Sequence, residues 1–186
     1  MEGGAMSSFR RRMYREQLQT QPEFIEFRAD KYVPTGVAEN SELKVYLKIR
    51  FISLGSYQFI IGYYAGSWFN MGPYNGYVED YYANQNNIKI PFSEFKIGSV
   101  IEIVKDRNKT YVDGVLKAEH TYKAFSRTNI MGIGGNTFNL HADVYAFSIW
   151  DNDVLVDEYY PAIVDGKEYF KGKNTSKLLE VVTKTT

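Results

Sequence analysis

Hydrolysis of a glycosidic bond needs two facing carboxylates, about 5 Å apart where configuration is retained, and the 186-residue chain offers two candidate pairs among its 22 acidic residues. Glu79 and Asp80 are adjacent, so in a strand they point to opposite faces. Glu102 and Asp106 have an even spacing that puts both on one face only if the strand runs that far. Both pairs read as solvated surface charge, the default for Asp and Glu without partners. His120 and His141 are too sparse for a metal cluster, and no Gly-x-Ser-x-Gly elbow, P-loop or Gly-x-Gly-x-x-Gly stands with them. The absence of cysteine removes a thiolate nucleophile, a disulfide framework and Cys-based zinc sites. Gly132, Gly134 and Gly135 are expected as a tight bend in a sheet, since no helical pattern follows them. Asp106 with Asn108, and Asp151 with Asn152 and Asp153, carry the oxygen atoms calcium takes but lack a fixed ligand loop, and are expected as turns. No catalytic residue, metal or cofactor is expected.

Binding chemistry is better represented. Residues 57–82 hold Tyr57, Phe59, Tyr63, Tyr64, Trp68, Phe69, Tyr74, Tyr77, Tyr81 and Tyr82, interleaved with Gly66, Gly72, Gly76, Asn70 and Asn75. Rings with a polar tip suit a wet surface that also buries area, and rings flanked by amides can stack on sugars while the amides bind hydroxyls. The same chemistry suits a protein interface, where Tyr and Trp are favoured anchors. The alternation Phe59, Ile61, Tyr63 suggests that many of these rings face a core. Trp68, Tyr74 and Tyr77 are expected to be the most exposed, in loops, with Asn70 and Asn75 beside them as the carbohydrate- or partner-binding set.

Formal net charge is zero, which argues against a general nucleic-acid binder. The longest apolar or aromatic run, Phe59 to Ala65, is far short of the roughly 18 residues that span a bilayer, so no membrane partner is expected. Charge is uneven along the chain. Residues 1–21 carry Arg10, Arg11, Arg12 and Arg15 against Glu2 and Glu16, while residues 22–186 hold 18 basic and 20 acidic side chains. From Ser7 or Ser8 as N-cap, the stretch Phe9 to Thr20 lacks Gly and Pro and ends before Pro22, which predicts a short helix. Phe9 and Met13 share a face of it. Residues 1–21 are therefore expected as a basic docking arm, with Phe9, Arg10, Arg11, Arg12 and Met13 as its contacts in an oligomer. No apolar h-region or cleavage site follows the arginines, so a cleaved secretory signal is not expected.

The elements that must position these residues are strands. Leu43, Val45, Leu47, Ile49 and Phe51 alternate with Lys44, Tyr46, Lys48, Arg50 and Ile52, a period-two pattern with one buried face. Further β-rich runs cover residues 57–64, 88–90, 100–105, 110–112 and 144–150. Asp113-Gly114 is a strong hairpin signal, because a type I′ turn needs positive φ at both central residues. Asn152-Asp153 is a second turn, and residues 171–186 read as a last edge strand. Strands without crossover helices predict an all-β antiparallel sandwich or jelly roll.

The order of pieces resembles the laminin-G-like, concanavalin A-like jelly-roll modules. Phe24-Ile25-Glu26-Phe27 and Tyr32-Val33-Pro34-Thr35-Gly36-Val37 look like their opening strand, turn and Thr-Gly. The stretch from Lys109 to Leu116 resembles their Tyr-Val-Asp-Gly hairpin. Tyr145 to Val156, running into Tyr160-Pro161-Ala162, resembles their last hairpin and exit. The resemblance covers about residues 23–170, and such modules with this exit occur in structural proteins of tailed phages. It implies a concanavalin A-like jelly-roll domain over residues 22–186 behind the 1–21 arm. The implied role is that of a non-enzymatic bacteriophage virion component, a head or tail decoration or fibre protein, made in the host cytoplasm. Such a component would present a lectin-like module to host glycan and pack against other virion subunits. The Glu-x-Asp-x-Glu strand of glucanases with this fold is absent. A bacterial surface carbohydrate-binding module, and a glycoside hydrolase with an unrecognised carboxylate pair, are the alternatives.

Overall fold

The computed structural model describes residues 19–28, 31–55, 59–62, 67–134 and 140–183. Starting from the N-terminal side, the strands are β1 (Gln19–Thr20), β2 (Ile25–Phe27), β3 (Lys31–Asn40) and β4 (Leu43–Phe51). Then come β5 (Phe69–Tyr74), β6 (Tyr77–Tyr82) and β7 (Ile88–Pro91), a 3-10 turn at Phe92–Phe95, and β8 (Val100–Asp106), β9 (Lys109–Val112) and β10 (Val115–Glu119). The chain closes with β11 (Ser126–Ile133), β12 (Ala142–Asp151), β13 (Val154–Val164), β14 (Lys167–Gly172), β15 (Leu178–Glu180) and β16 (Val182–Thr183). No α-helix occurs among the described residues.

Every pairing between these strands is antiparallel, and the fold is all-β. A large sheet runs β10-β9-β8-β4-β12-β13-β14-β15. A second layer holds β11-β3-β16 and β5-β6-β7, joined where the backbone of Ile61 bridges to Ile133 on one side and Met71 on the other. The alternation of β4 decides which face of the large sheet is inside: Leu43, Val45, Leu47, Ile49 and Phe51 are fully buried, and the residues between them are not. They share one hydrophobic core with Phe69, Met71 and Val78 of β5 and β6 and with Met131 and Ile133 of β11, so the two layers face each other as in a β-sandwich. Phe147 stacks on Tyr159 at 4.8 Å and meets Phe170 at 5.0 Å, filling one end.

The N-terminal segment is built into the large sheet. β2 pairs with the first residues of β12, Ile25 opposite Val144, and β1 pairs with the end of β13, Gln19 opposite Val164. Gln19 and Thr20, expected at the end of a helix, are thus strand, because the free edge of β13 offers backbone partners that a short helix cannot match. The remainder of the expected helix, with Phe9, Arg10, Arg11, Arg12 and Met13, lies outside the described residues. Of the strand expected over 57–64, the described part, Phe59–Gly62, forms isolated bridges at Ile61, with Ile60 and Gly62 hydrogen-bonded to Met71 and Gly132, and is not a continuous strand. The expected last edge strand is divided: β15 edges the large sheet, and β16 crosses to pair with β3 in the other layer. Asp113 and Gly114 have φ of 49° and 76°, as their hairpin requires, and Asn152 and Asp153 also turn with positive φ.

Candidate functional site

The aromatic window is largely a hairpin. Asn75 and Gly76, at φ 47° and 86°, form a tight type I′-like turn between β5 and β6, and β7 pairs on the far side of β6. Cross-strand partners share a face. The pairs Phe69–Tyr82, Met71–Asp80 and Pro73–Val78 look into the core. The pairs Asn70–Tyr81, Gly72–Glu79 and Tyr74–Tyr77 lie on the other face, with Lys89 of β7 next to Glu79; Asn70, Gly72 and Glu79 are buried there and Tyr77 is the exposed ring. One face of the hairpin therefore gathers three tyrosines, a carboxylate and an amide.

Its polar geometry is specific. The Tyr81 hydroxyl donates to Glu79 Oε2 at 2.7 Å, and Asn87 Nδ2 reaches the Tyr81 oxygen at 3.4 Å. Burial and the neighbouring Glu79 push the Tyr81 phenol up to about 12. Lys89 Nζ stands 3.9 Å from Glu79 Oε1 and 5.6 Å from the centre of the Tyr77 ring. Tyr77 is 41% exposed, Tyr74 and Tyr81 are half-buried, and Glu79 is buried. Asn70 is 7% exposed; its Nδ2 donates to the Ser67 carbonyl at 3.1 Å and its buried Oδ1 accepts from nothing.

Of the expected set, Asn70, Tyr74 and Tyr77 lie on this face and Asn75 sits in its turn. Trp68 does not join Tyr74 and Tyr77. It precedes β5 at the other end of the hairpin, about 20 Å from Tyr74 at the rise of an extended strand. There it is half-buried rather than loop-exposed. Its backbone N–H donates to the buried Glu39 at 3.1 Å, its ring meets the edge of Phe125 at 5.7 Å, and the Arg127 guanidinium lies 4.8 Å over it. The sequence reading named Glu79 and Tyr81 but left them, with Lys89, out of the binding set. The signal was present: Tyr77, Glu79 and Tyr81 recur at steps of two after an Asn-Gly turn.

Neither candidate carboxylate pair has the facing geometry of glycosidase pairs. Glu79 and Asp80 do point to opposite faces, but neither is solvated surface charge. Asp80 is fully buried and takes hydrogen bonds from Lys105 Nζ at 2.7 Å and Thr110 Oγ1 at 2.9 Å on Oδ1, with His120 Nε2 3.0 Å from Oδ2. Burial pushes its carboxyl up, yet the Lys105 charge and the bonds from His120, Lys105 and Thr110 outweigh this and hold it below the usual carboxylate range. β8 does run to Asp106, which puts Glu102 and Asp106 on one face. Four residues of strand separate them by about 13 Å, beyond the roughly 5 to 9.5 Å of glycosidase pairs.

The turn acids are held by arginine. Arg107 bonds Glu42 at 2.9 Å, Asp153 at 2.5 Å and Asp106 at 3.2 Å, so its guanidinium fills the corner between these acids. Asp151 accepts from Asn40 and Asn152, each at 3.0 Å. His141 Nδ1 pairs with the Ser53 hydroxyl at 2.8 Å. No group of three or more His, Asp or Glu able to hold a metal exists among the described residues. Gly134, at φ 83°, turns the end of β11 against the Phe27 ring, as the expected bend requires; Gly135 lies outside the described residues. No protein-family model and no curated protein matches the chain.

Proposed function

We propose that the chain is a non-enzymatic recognition module of the concanavalin A-like jelly-roll type, a structural component of a phage particle whose β5–β6 hairpin meets a host glycan. The observation that carries this reading is the hairpin face away from the core, where Tyr77 is exposed and Tyr74 and Tyr81 are half-buried. The exposed Tyr77 ring offers a face for stacking, with Lys89 Nζ 5.6 Å from its centre and the half-buried Tyr74 and Tyr81 beside it. Two antiparallel layers over one core, with β3 and β4 consecutive in the chain but in opposite layers, support the jelly-roll topology. The engagement of Asp80 by Lys105, and the wide separation of Glu102 from Asp106, support a binding rather than a hydrolytic role. In this reading the arginine-rich residues preceding Gln19 dock the module onto neighbouring subunits.

Binding of labelled protein to host envelopes and to purified host surface polysaccharide tests it, with Tyr77→Ala and Glu79→Gln as the reporting variants. Saturable binding that falls at least severalfold in both supports the hairpin face. Equal binding by all forms, or release of reducing sugar by the wild type, rejects it.

A further inference from the structure

The outer face of the large sheet carries a second arrangement of rings, set by register and independent of the hairpin. Tyr111 of β9 lies opposite Val104 of β8, Val104 opposite Tyr46 of β4, Tyr46 opposite Ser148 of β12, and Ser148 opposite Glu158 of β13. Tyr160 follows Glu158 by two residues and so points the same way. Tyrosines therefore recur on every second strand, β9, β4 and β13: Tyr111 and Tyr46 stand about 10 Å apart at twice the strand spacing, and Tyr160, two residues further along its strand, about 12 Å from Tyr46. The residues between them, Val104 and Ser148, are small enough to leave the rings as the ridge. Beyond Tyr160 the line ends in a cleft of about 370 Å³ lined by Gln21, Tyr160, Pro161, Lys171 and Lys173, within the roughly 300 to 1,000 Å³ of small-molecule sites.

Charge on this face is paired off. Glu158 holds Lys173 at 2.8 Å and takes the Tyr160 hydroxyl at 3.3 Å, while Glu102 lies opposite Lys48 and hydrogen-bonds Tyr46. These paired groups supply donors and acceptors for hydroxyls. The rings are separated by one small apolar residue, Val104, and one polar one, Ser148, rather than joined into the contiguous apolar core of a protein interface.

We infer that the outer face of the large sheet binds an extended, uncharged, β-1,4-linked polysaccharide laid across the strands over Tyr111, Tyr46 and Tyr160. In a ribbon of that linkage every second sugar presents the same face, so a ring on every second strand meets equivalent sugars. The cleft beside Tyr160 takes the sugar at one end. This surface lies on the opposite layer from the β5–β6 hairpin and stands or falls separately from it.

Amide shift mapping of the 15N-labelled full chain with cellohexaose, mannohexaose and N-acetylchitohexaose tests the inference, with a hexagalacturonate as the charged control. At least one neutral hexasaccharide at millimolar concentration should shift amides on β9, β4 and β13. Tyr46→Ala and Tyr160→Ala should each weaken that binding roughly fivefold, the loss of one ring contact, while leaving the remaining spectrum folded. Failure of all three neutral probes, or tighter binding of the galacturonate, overturns it. Shifts confined to the Tyr74–Tyr77 turn overturn it too and leave the hairpin reading standing. Self-association lost in Tyr46→Ala, without sugar binding, overturns it in favour of an interface between copies.

Discussion

Lys105 is a full charge with no exposed surface, sitting 2.7 Å from an equally buried Asp80 and 4.9 Å from the Phe69 ring centre. A lone buried cation is costly, so the pair must be kept whole. Asp80→Ala should cost about 3 to 5 kcal/mol, read as a lower denaturant midpoint at unchanged slope; a loss under 1 kcal/mol would mean that water reaches Lys105. Because the Asp80 pKa is depressed in the folded state, its contribution is present above the unfolded value and is lost as pH falls through the folded one. Thermal midpoints should therefore drop below about pH 4, and Asp80→Asn should blunt that drop. A variant with wild-type acid dependence would assign the effect to other carboxylates. Two aromatic residues that looked alike in the sequence should separate by the same kind of measurement. Tyr77→Ala, at an exposed ring, should change stability by no more than about 0.5 kcal/mol. Trp68→Ala should cost about 1 to 2 kcal/mol, since its ring packs between Phe125 and Arg127. Equal losses would contradict their different burial.

Short elements here do structural tasks that their length does not advertise. β1 and β2 add backbone pairs to β13 and β12 and bring Ile25 and Phe27 into the core. Removing residues 1–18 should leave a cooperatively folded protein that fails to assemble. Removing residues 1–27 should cost several kcal/mol, from two buried side chains at about 1.5 to 3 kcal/mol each. Circular dichroism melts and sedimentation of the two truncations decide this, and normal assembly by residues 19–186 would refute the docking arm. The loop after β14 is hung on Asp157, which accepts from the backbone N–H groups of Glu158, Asn174 and Thr175. Gly172 makes room for that carboxylate, since a Cβ there would stand 2.1 Å from Asp157 Oδ2. Gly172→Ala should cost about 2 to 3 kcal/mol, visible as a lower melting midpoint. Elements with local signals were legible: β4 by its alternation and the β9–β10 hairpin by Asp-Gly. The β5–β6 hairpin had the same kind of signal in Asn75-Gly76, but the density of rings around it read as a binding loop.

For the whole molecule, the two layers present two faces of different chemistry, the hairpin with its buried Glu79 and the large sheet with its spaced tyrosines. The two proposed glycan surfaces lie on opposite sides of one core, and the variants Tyr77→Ala and Tyr46→Ala test them separately. The sequence by itself determined the all-β class, the inward set of β4, the β9–β10 and β12–β13 turns and the absence of any cysteine chemistry, because each depends on neighbours within a few residues. Tertiary structure alone decided that Ile61 would join the halves of the second layer and that β16 would leave β15 for β3. It also turned Asp80 inward to Lys105 and set Trp68 a hairpin's length away from Tyr74. Those outcomes depend on which strands meet across long stretches of chain. Pairing register and the burial of charge are properties of the assembled sheets, not of any local run of residues.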